Sequence, residues 1–235
     1  TEIYTLSLHD ALPIYVYDCG ADPYQSLYQI PFIFNLDRTR WAASGYSWVE
    51  LPTAQPAMAP LSQDWWVIEM SMPDPVVADL DGDGYAEILY AGYDGQIHAF
   101  WLDKTEHGNW PYAVYDAQEG FYRFASPPVV IDLENDGSAE VIFTSWPQKN
   151  SEQSGKLHVL WADGSVRFEV GLPRNDDWDG AIASPTLANV DADADWEVVI
   201  QTAHSGVVVY DLPNTARARV LWGTGRGNFL RSGAP

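Results

Sequence analysis

Residues 75–90 read PVVADLDGDGYAEILY: an apolar run, an acidic glycine-bearing loop, and a second apolar run entered through Glu87. The same plan returns at residues 128–143, PVVIDLENDGSAEVIF, and at 185–200, PTLANVDADADWEVVI, and the three segments align without a gap. Each opens on proline (Pro75, Pro128, Pro185) and leaves its loop through glutamate (Glu87, Glu140, Glu197). The loops begin at Asp79, Asp132 and Asn189, steps of 53 and 57 residues, and a fainter copy, PFIFNLDRTRW from Pro31, starts its loop at Asn35. Self-similarity at spacings of this size marks a repeat architecture.

The likeness continues downstream. GQIHAFW at 95–101 matches GKLHVLW at 155–161, and GVVVYD at 206–211 follows the same plan. Asp94-Gly95 and Asp163-Gly164 are hairpin signals, because both residue types tolerate the positive φ of tight turns. Each period therefore gives strand, acidic loop, strand, tight turn, strand. A fourth strand is expected before the next period, near Val166–Val170 in the repeat that begins at Pro128. No amphipathic helix of useful length is visible. Four antiparallel strands per roughly 40–50 residues is the arithmetic of a propeller blade. The expected fold is all-β, a β-propeller of four-stranded antiparallel blades. Repeats start near 31, 75, 128 and 185 within residues 15–235.

The acidic loops have the chemistry of a cation site. Calcium takes six to eight hard oxygen ligands at about 2.3–2.6 Å. In the first loop Asp79, Asp81 and Asp83 alternate, Tyr85 offers a backbone carbonyl, Glu87 closes the ring, and Gly84 permits the sharp turn. The spacing resembles the front of an EF-hand loop, although it closes at the ninth position and lies between strands. The second loop offers Asp132, Glu134, Asp136, the Ser138 carbonyl and Glu140; Glu134 is one methylene longer than the usual aspartate. The third offers Asn189, Asp191, Asp193, the Asp195 carbonyl and Glu197, with Ala194 where a turn glycine stands elsewhere, which predicts a strained or weakened loop. Up to three Ca2+ ions are expected. Magnesium suits such loops less well, since it prefers a smaller, more hydrated octahedral site. The copy at Asn35 has Asp37, Thr39 and then Ala43 at the closing position, and is expected to bind none. One loop of this composition would be an ordinary solvated Asp–Gly turn. Three in register, each closed by glutamate, crowd like charges that repel without a cation among them.

Composition narrows the partners. Asp+Glu is 33 against Lys+Arg 12, a formal net charge of -21 over 235 residues. Such a chain is not drawn to nucleic acid or to an anionic membrane surface. Aromatics at 14% and hydrophobics at 46% argue against disorder as the source of that acidity. No apolar run reaches the roughly 18 residues of a membrane span. Cys19 stands alone and makes no internal disulfide. Residues 1–14, TEIYTLSLHDALPI, are encoded residue for residue by DNA similar to a common short-read sequencing adapter. They read as artefactual and are set aside, and a natural N-terminus is expected to be missing. Trp101 and Trp161 share a repeat position and read as blade-to-blade packing, with a sugar-stacking platform as the alternative; Trp65, Trp66, Trp110 and Tyr112 are unrepeated and are candidates for a ligand surface. His98 and His158 are repeat-equivalent strand residues, while His107 and His204 show no partner pattern. Asp176, Asp177 and Asp179 beside Trp178 read as an inter-strand loop, with part of a binding face as the alternative. No nucleophile elbow, zinc helix or phosphate-cradling loop is present.

The loop DLDGDGYAEI and its repeats resemble the FG-GAP/VCBS family, whose members include the calcium-bearing blades of integrin α-subunit propellers and many bacterial secreted proteins. The resemblance runs over roughly residues 31–211, by the repeat period. It implies structural calcium at one rim of the blades, an extracellular or cell-surface location, and an extracellular protein or glycan partner. The tail from Trp222 to Gly233, with Arg226, Asn228 and Arg231, looks like a segment that completes the last blade of such propellers. About four blades is fewer than most closed propellers use, so a truncated arc is expected. The function expected is a calcium-stabilised module for ligand binding, adhesion or scaffolding, without catalysis of its own. The alternative is part of a propeller-type polysaccharide lyase or other carbohydrate-active enzyme, for which so few basic residues are a poor fit to an acidic sugar.

Overall fold

β-branched and aromatic side chains suit a pleated, buried surface, and the apolar runs flanking each acidic loop are all strands in the computed structural model. The structure describes residues 30–53, 74–92, 94–148, 151–175, 179–230 and 232. The adapter-like segment, Cys19, Trp65, Trp66, Asp176, Asp177, Trp178, Arg231 and Gly233 lie outside them. The strands are β1 (Ala42–Ala43), β2 (Tyr46–Ser47), β3 (Val76–Ala78), β4 (Glu87–Ala91), β5 (Gln96–Phe100), β6 (Tyr112–Ala113), β7 (Arg123–Ala125) and β8 (Val129–Asp132). They continue through β9 (Glu140–Pro147), β10 (Lys156–Leu160), β11 (Val166–Gly171), β12 (Thr186–Ala188), β13 (Trp196–Gln201), β14 (Val207–Leu212) and β15 (Arg219–Trp222). Among the described residues the one helical element is a 3-10 turn at Ala117–Glu119, and no helix is long and apolar enough to cross a membrane.

The first full repeat forms the four-stranded antiparallel blade β3-β4-β5-β6. The second forms β8-β9-β10-β11, with the expected fourth strand at Val166–Gly171. Asp94-Gly95 and Asp163-Gly164 make their turns with left-handed glycines, φ 77° at Gly95 and 80° at Gly164. In the second blade β7 and β8 pair one after the other along β9. Pro127 and Pro128 separate them, since proline has no N–H to give a ladder.

The sheets stack face to face, so strands of the middle blades bury both faces. Along β4, Ile88 and Tyr90 pack with Trp41 and Trp48 in one core, and Leu89 and Ala91 pack with Val130 and Phe143 in the next. Along β9, Val141 and Phe143 face that second core, while Ile142 joins Leu187, Val198 and Ile200 in a third. The arrangement is the propeller-like, all-β one expected.

Strand counts depart from the repeat at both ends. Among the described residues the N-terminal copy shows a two-stranded hairpin, β1-β2, and the third blade three strands, β12-β13-β14. The tail does not complete that blade: β15 pairs antiparallel with β8 of the second. The cause is local. Asn214 turns through φ 68°, and the Asp195 carboxylate accepts the Asn214 and Ala216 N–H groups at 2.8 Å each. These bonds pull the chain off the β14 edge before it can return beside it.

Candidate metal centres

Strand pairing sets each loop. Glu87 lies opposite Ala78 in the β3–β4 ladder, so its side chain turns back beneath the loop that joins them. There it is 1% exposed, and Oε2 accepts the Leu80 N–H at 2.7 Å. Asp79 accepts the Gly82 and Gly84 N–H groups at 2.8 and 3.0 Å, which wraps the backbone around its carboxylate. Gly82 and Gly84 are both left-handed, at φ 75° and 85°. Carboxylate oxygens of Asp79, Asp81 and Glu87 lie within 4.8 Å of one another. Asp83 is outside that triple; its Oδ1 accepts the Tyr85 N–H at 2.7 Å. Trp101 donates its indole N–H to Asp81 at 3.0 Å, which ties the repeated tryptophan to the site.

The third loop reaches the same convergence by another path. Asp191, Asp193 and Glu197 bring one carboxylate oxygen each within 4.8 Å of the others. Glu197 is 2% exposed, and its Oε2 accepts the Val190 N–H at 2.7 Å. The strain expected at Ala194 is absent, because neither Ala192 nor Ala194 is left-handed. Asn189 closes the loop instead, donating its side-chain amide to the Asp193 and Asp195 carbonyls at 2.9 and 3.1 Å. The Asp195 carbonyl expected to face a cation is thus already bonded, and its carboxylate holds the turn at Asn214.

The second loop keeps the same frame. Glu140 Oε2 accepts the Leu133 N–H at 3.0 Å, and Asp132 accepts the Asp136 and Gly137 N–H groups at 3.0 and 2.9 Å. Asp136 Oδ1 accepts the Ser138 N–H. Its carboxylates do not converge on one point. Arg167, from β11, reaches in and donates to Glu140 Oε1 at 2.6 Å and to both oxygens of Glu134, at 2.9 and 2.5 Å. Arg219 adds a longer contact to Asp132 at 3.7 Å. The Arg167 guanidinium lies 4.4 Å from the centroid of the Trp161 ring.

The residues of the first and third loops fit a divalent cation, on a specific observation. Glu87 Oε1 and Glu197 Oε1 are buried with no hydrogen-bond partner. A buried acceptor left unsatisfied costs on the order of 1–3 kcal/mol, and more when charged. Burial pushes the Glu87 carboxyl up to about 8, with Asp81, Asp79 and Asp83 adding repulsion against the Leu80 N–H that opposes them. That is the electrostatic signature of a place short of positive charge. Ligands on opposite sides of one calcium stand roughly 5 Å apart, the scale of the two triples. Asp79, Asp81 and Glu87 would hold one ion, and Asp191, Asp193 and Glu197 another. The chemistry supplied would be structural, neutralising the carboxylates and tying the two strands of each loop together.

The copy at Asn35 is closed by its own side chains. Asn35 donates to the Thr39 hydroxyl at 3.0 Å, and that hydroxyl donates to Asp37 at 2.6 Å. Of the residues expected to offer a ligand surface, Trp110 belongs to the core and donates its indole N–H to the Ala162 carbonyl. Tyr112 is half-buried and donates to Glu169 at 2.7 Å. Asp179 is fully buried and accepts from the Gly180 and His204 N–H groups and the Ser205 hydroxyl. His107 bonds Asp103 at 2.9 Å and stacks on Trp101.

Two arrangements escaped sequence reasoning. One is the Arg167 contact. The other is a relay in the second blade: His158 Nε2 lies 3.0 Å from Ser145 Oγ, and His158 Nδ1 lies 2.9 Å from Glu169. Ser145 is fully buried and already accepts the Lys156 N–H. The signal for both was alternation along β11, which sends Arg167 and Glu169 to one face.

No curated protein and no solved structure matches the chain. A family model does match, from the first residue of the first acidic loop, through the second loop, to the middle of β9: residues 79–143 carry an FG-GAP-like repeat.

Proposed function

We propose that the chain is a calcium-stabilised, extracellular propeller module for ligand binding, adhesion or scaffolding, with no catalysis of its own. The observation that carries the metal reading is the pair of buried, unpartnered Oε1 atoms on Glu87 and Glu197. Each of these glutamates brings a carboxylate oxygen within 4.8 Å of one from each of two aspartates. The loops are half open to solvent, which suits the calcium affinities of extracellular modules, roughly 10⁻⁴–10⁻³ M. The FG-GAP-like repeat at residues 79–143 supports the propeller setting. The buried Ser145 hydroxyl supports a structural role for its relay, since a nucleophile must meet its substrate. The partner is an extracellular protein or glycan.

The test is thermal melting with millimolar calcium and with a calcium-selective chelator. An ion that binds only the folded state stabilises by mass action, by about 1.4 kcal/mol per site at a tenfold excess over Kd. Calcium is expected to raise Tm by several degrees and magnesium by less. Identical melting curves under chelation would sink the metal reading.

A further inference from the structure

We infer that the Arg167 guanidinium is the resident cation of the second acidic loop, standing where the other two loops leave room for an ion, and that this loop is a latent divalent site that Arg167 keeps closed. The inference rests on the reading of the first and third loops as metal centres and sharpens it to two ions per chain.

The argument is positional. The closing glutamates Glu87, Glu140 and Glu197 each give Oε2 to the N–H of the second loop residue, Leu80, Leu133 and Val190, at 2.7, 3.0 and 2.7 Å. The frame is the same three times, and the remaining oxygen distinguishes the loops. Oε1 is buried without a partner on Glu87 and Glu197. On Glu140 it receives Arg167 Nη1 at 2.6 Å. The guanidinium thus occupies the slot that the other two loops leave for an ion. It also takes both oxygens of Glu134, which would otherwise be free to turn toward a metal. Its planar fork suits this bidentate grip, and the Trp161 face at 4.4 Å holds the guanidinium plane in place. The equivalent tryptophan of the first blade, Trp101, donates to the Asp81 carboxylate instead. One repeat position therefore serves the acidic cluster directly in one blade and serves the substitute cation in the next.

Removing the arginine should convert the loop. Asp132, Glu134, Asp136 and Glu140 would keep their backbone frame, and Glu134 and Glu140 would lose the guanidinium that bridges them. The experiment counts bound calcium per chain by equilibrium dialysis with elemental analysis, in the full chain and in Arg167→Gln. Two ions are expected in the parent and three in the variant. Arg167→Met, which retains an aliphatic stem against Trp161, gives a second count if Arg167→Gln folds poorly. Backbone hydrogen exchange of the parent reads the same point without substitution: chelation should speed exchange of the Leu80 and Val190 amides and leave Leu133 unchanged. Three ions in the parent, no added ion in either variant, or a Leu133 amide that opens with the other two would overturn the inference. A parent that binds none while the variant gains one would overturn the metal reading of the first and third loops and leave the role of Arg167 standing.

Discussion

Gly82 and Gly84 lie two residues apart in one loop, both left-handed, yet they are glycines for different reasons. A Cβ on Gly84 would meet nothing within 4 Å, whereas one on Gly82 would lie 2.6 Å from the Gly137 carbonyl oxygen of the neighbouring blade. Beside that contact the Ala139 N–H donates to the Leu80 carbonyl at 2.8 Å, so the first two acidic loops touch through backbone. Gly84→Ala is expected to cost about 1–2 kcal/mol, the penalty of the left-handed region alone. Gly82→Ala should cost clearly more, because a fixed carbonyl must also move. Urea titration of both variants checks the order; equal losses would mean that the loops can part freely. Position 82 has its counterpart in Asn135, left-handed at φ 55°, the residue type that tolerates this region best after glycine. The turn chemistry was thus legible from Asp–Gly spacing alone. The contact that makes Gly82 different was not, because it joins two repeats whose separation says nothing of which atoms meet.

His98 on β5 and His158 on β10 hold one repeat position, and the strands around them treat the imidazoles oppositely. His98 is fully buried between Asp94 at 3.2 Å and Glu106 at 3.0 Å, and stacks on Tyr90. Burial opposes its charge, but the hydrogen bonds to the two carboxylates outweigh burial and hold its pKa up at about 9. For His158, burial dominates and pushes the pKa down, against the hydrogen bond to Glu169. The Glu169 carboxyl is itself held far below the usual range by His158, Tyr112 and Lys156, although its own burial resists this. A histidine raised above its unfolded pKa of about 6.5 adds stability that is complete below that pH. The contribution is lost as pH rises through about 9. The parent is therefore expected to lose Tm between pH 6.5 and 9 by an amount missing from His98→Gln, as differential scanning calorimetry across that window will show. Parallel profiles would mean that His98 is neutral in the fold. The strands themselves were readable from hydrophobic alternation and turn signals. What reaches a loop from a strand three elements later, as Arg167 does, depends on register, and register is fixed only when the strands pair.

The tail strand β15 reaches both cores that join the three sheets. It pairs with β8 through Arg219, Val220 and Trp222. Trp222 enters the core shared by the first and second blades, and Val220 packs against the core shared by the second and third. Just past it, the Gly223 carbonyl accepts the Leu187 N–H of β12 at 2.9 Å. One strand from the end of the chain thus touches the inner strands of the second and third blades and a core that Val76 of β3 lines. Among the described residues the third blade shows no fourth strand of its own, and this link joins it to the tail. Trp222→Ala is expected to cost about 3–5 kcal/mol, the range for emptying a buried tryptophan site. The more telling readout is where the loss appears. If β15 ties the sheets together, hydrogen exchange in the variant should speed by a common factor at Leu89 of β4, Val141 of β9 and Val198 of β13, because all three open in one cooperative event. Faster exchange confined to β8 and β9, with Val198 as protected as before, would make the tail a local patch on the second blade. The third blade would then hold its place through the core it shares with the second, where Ile142 and Leu157 meet Leu187, Val198 and Ile200.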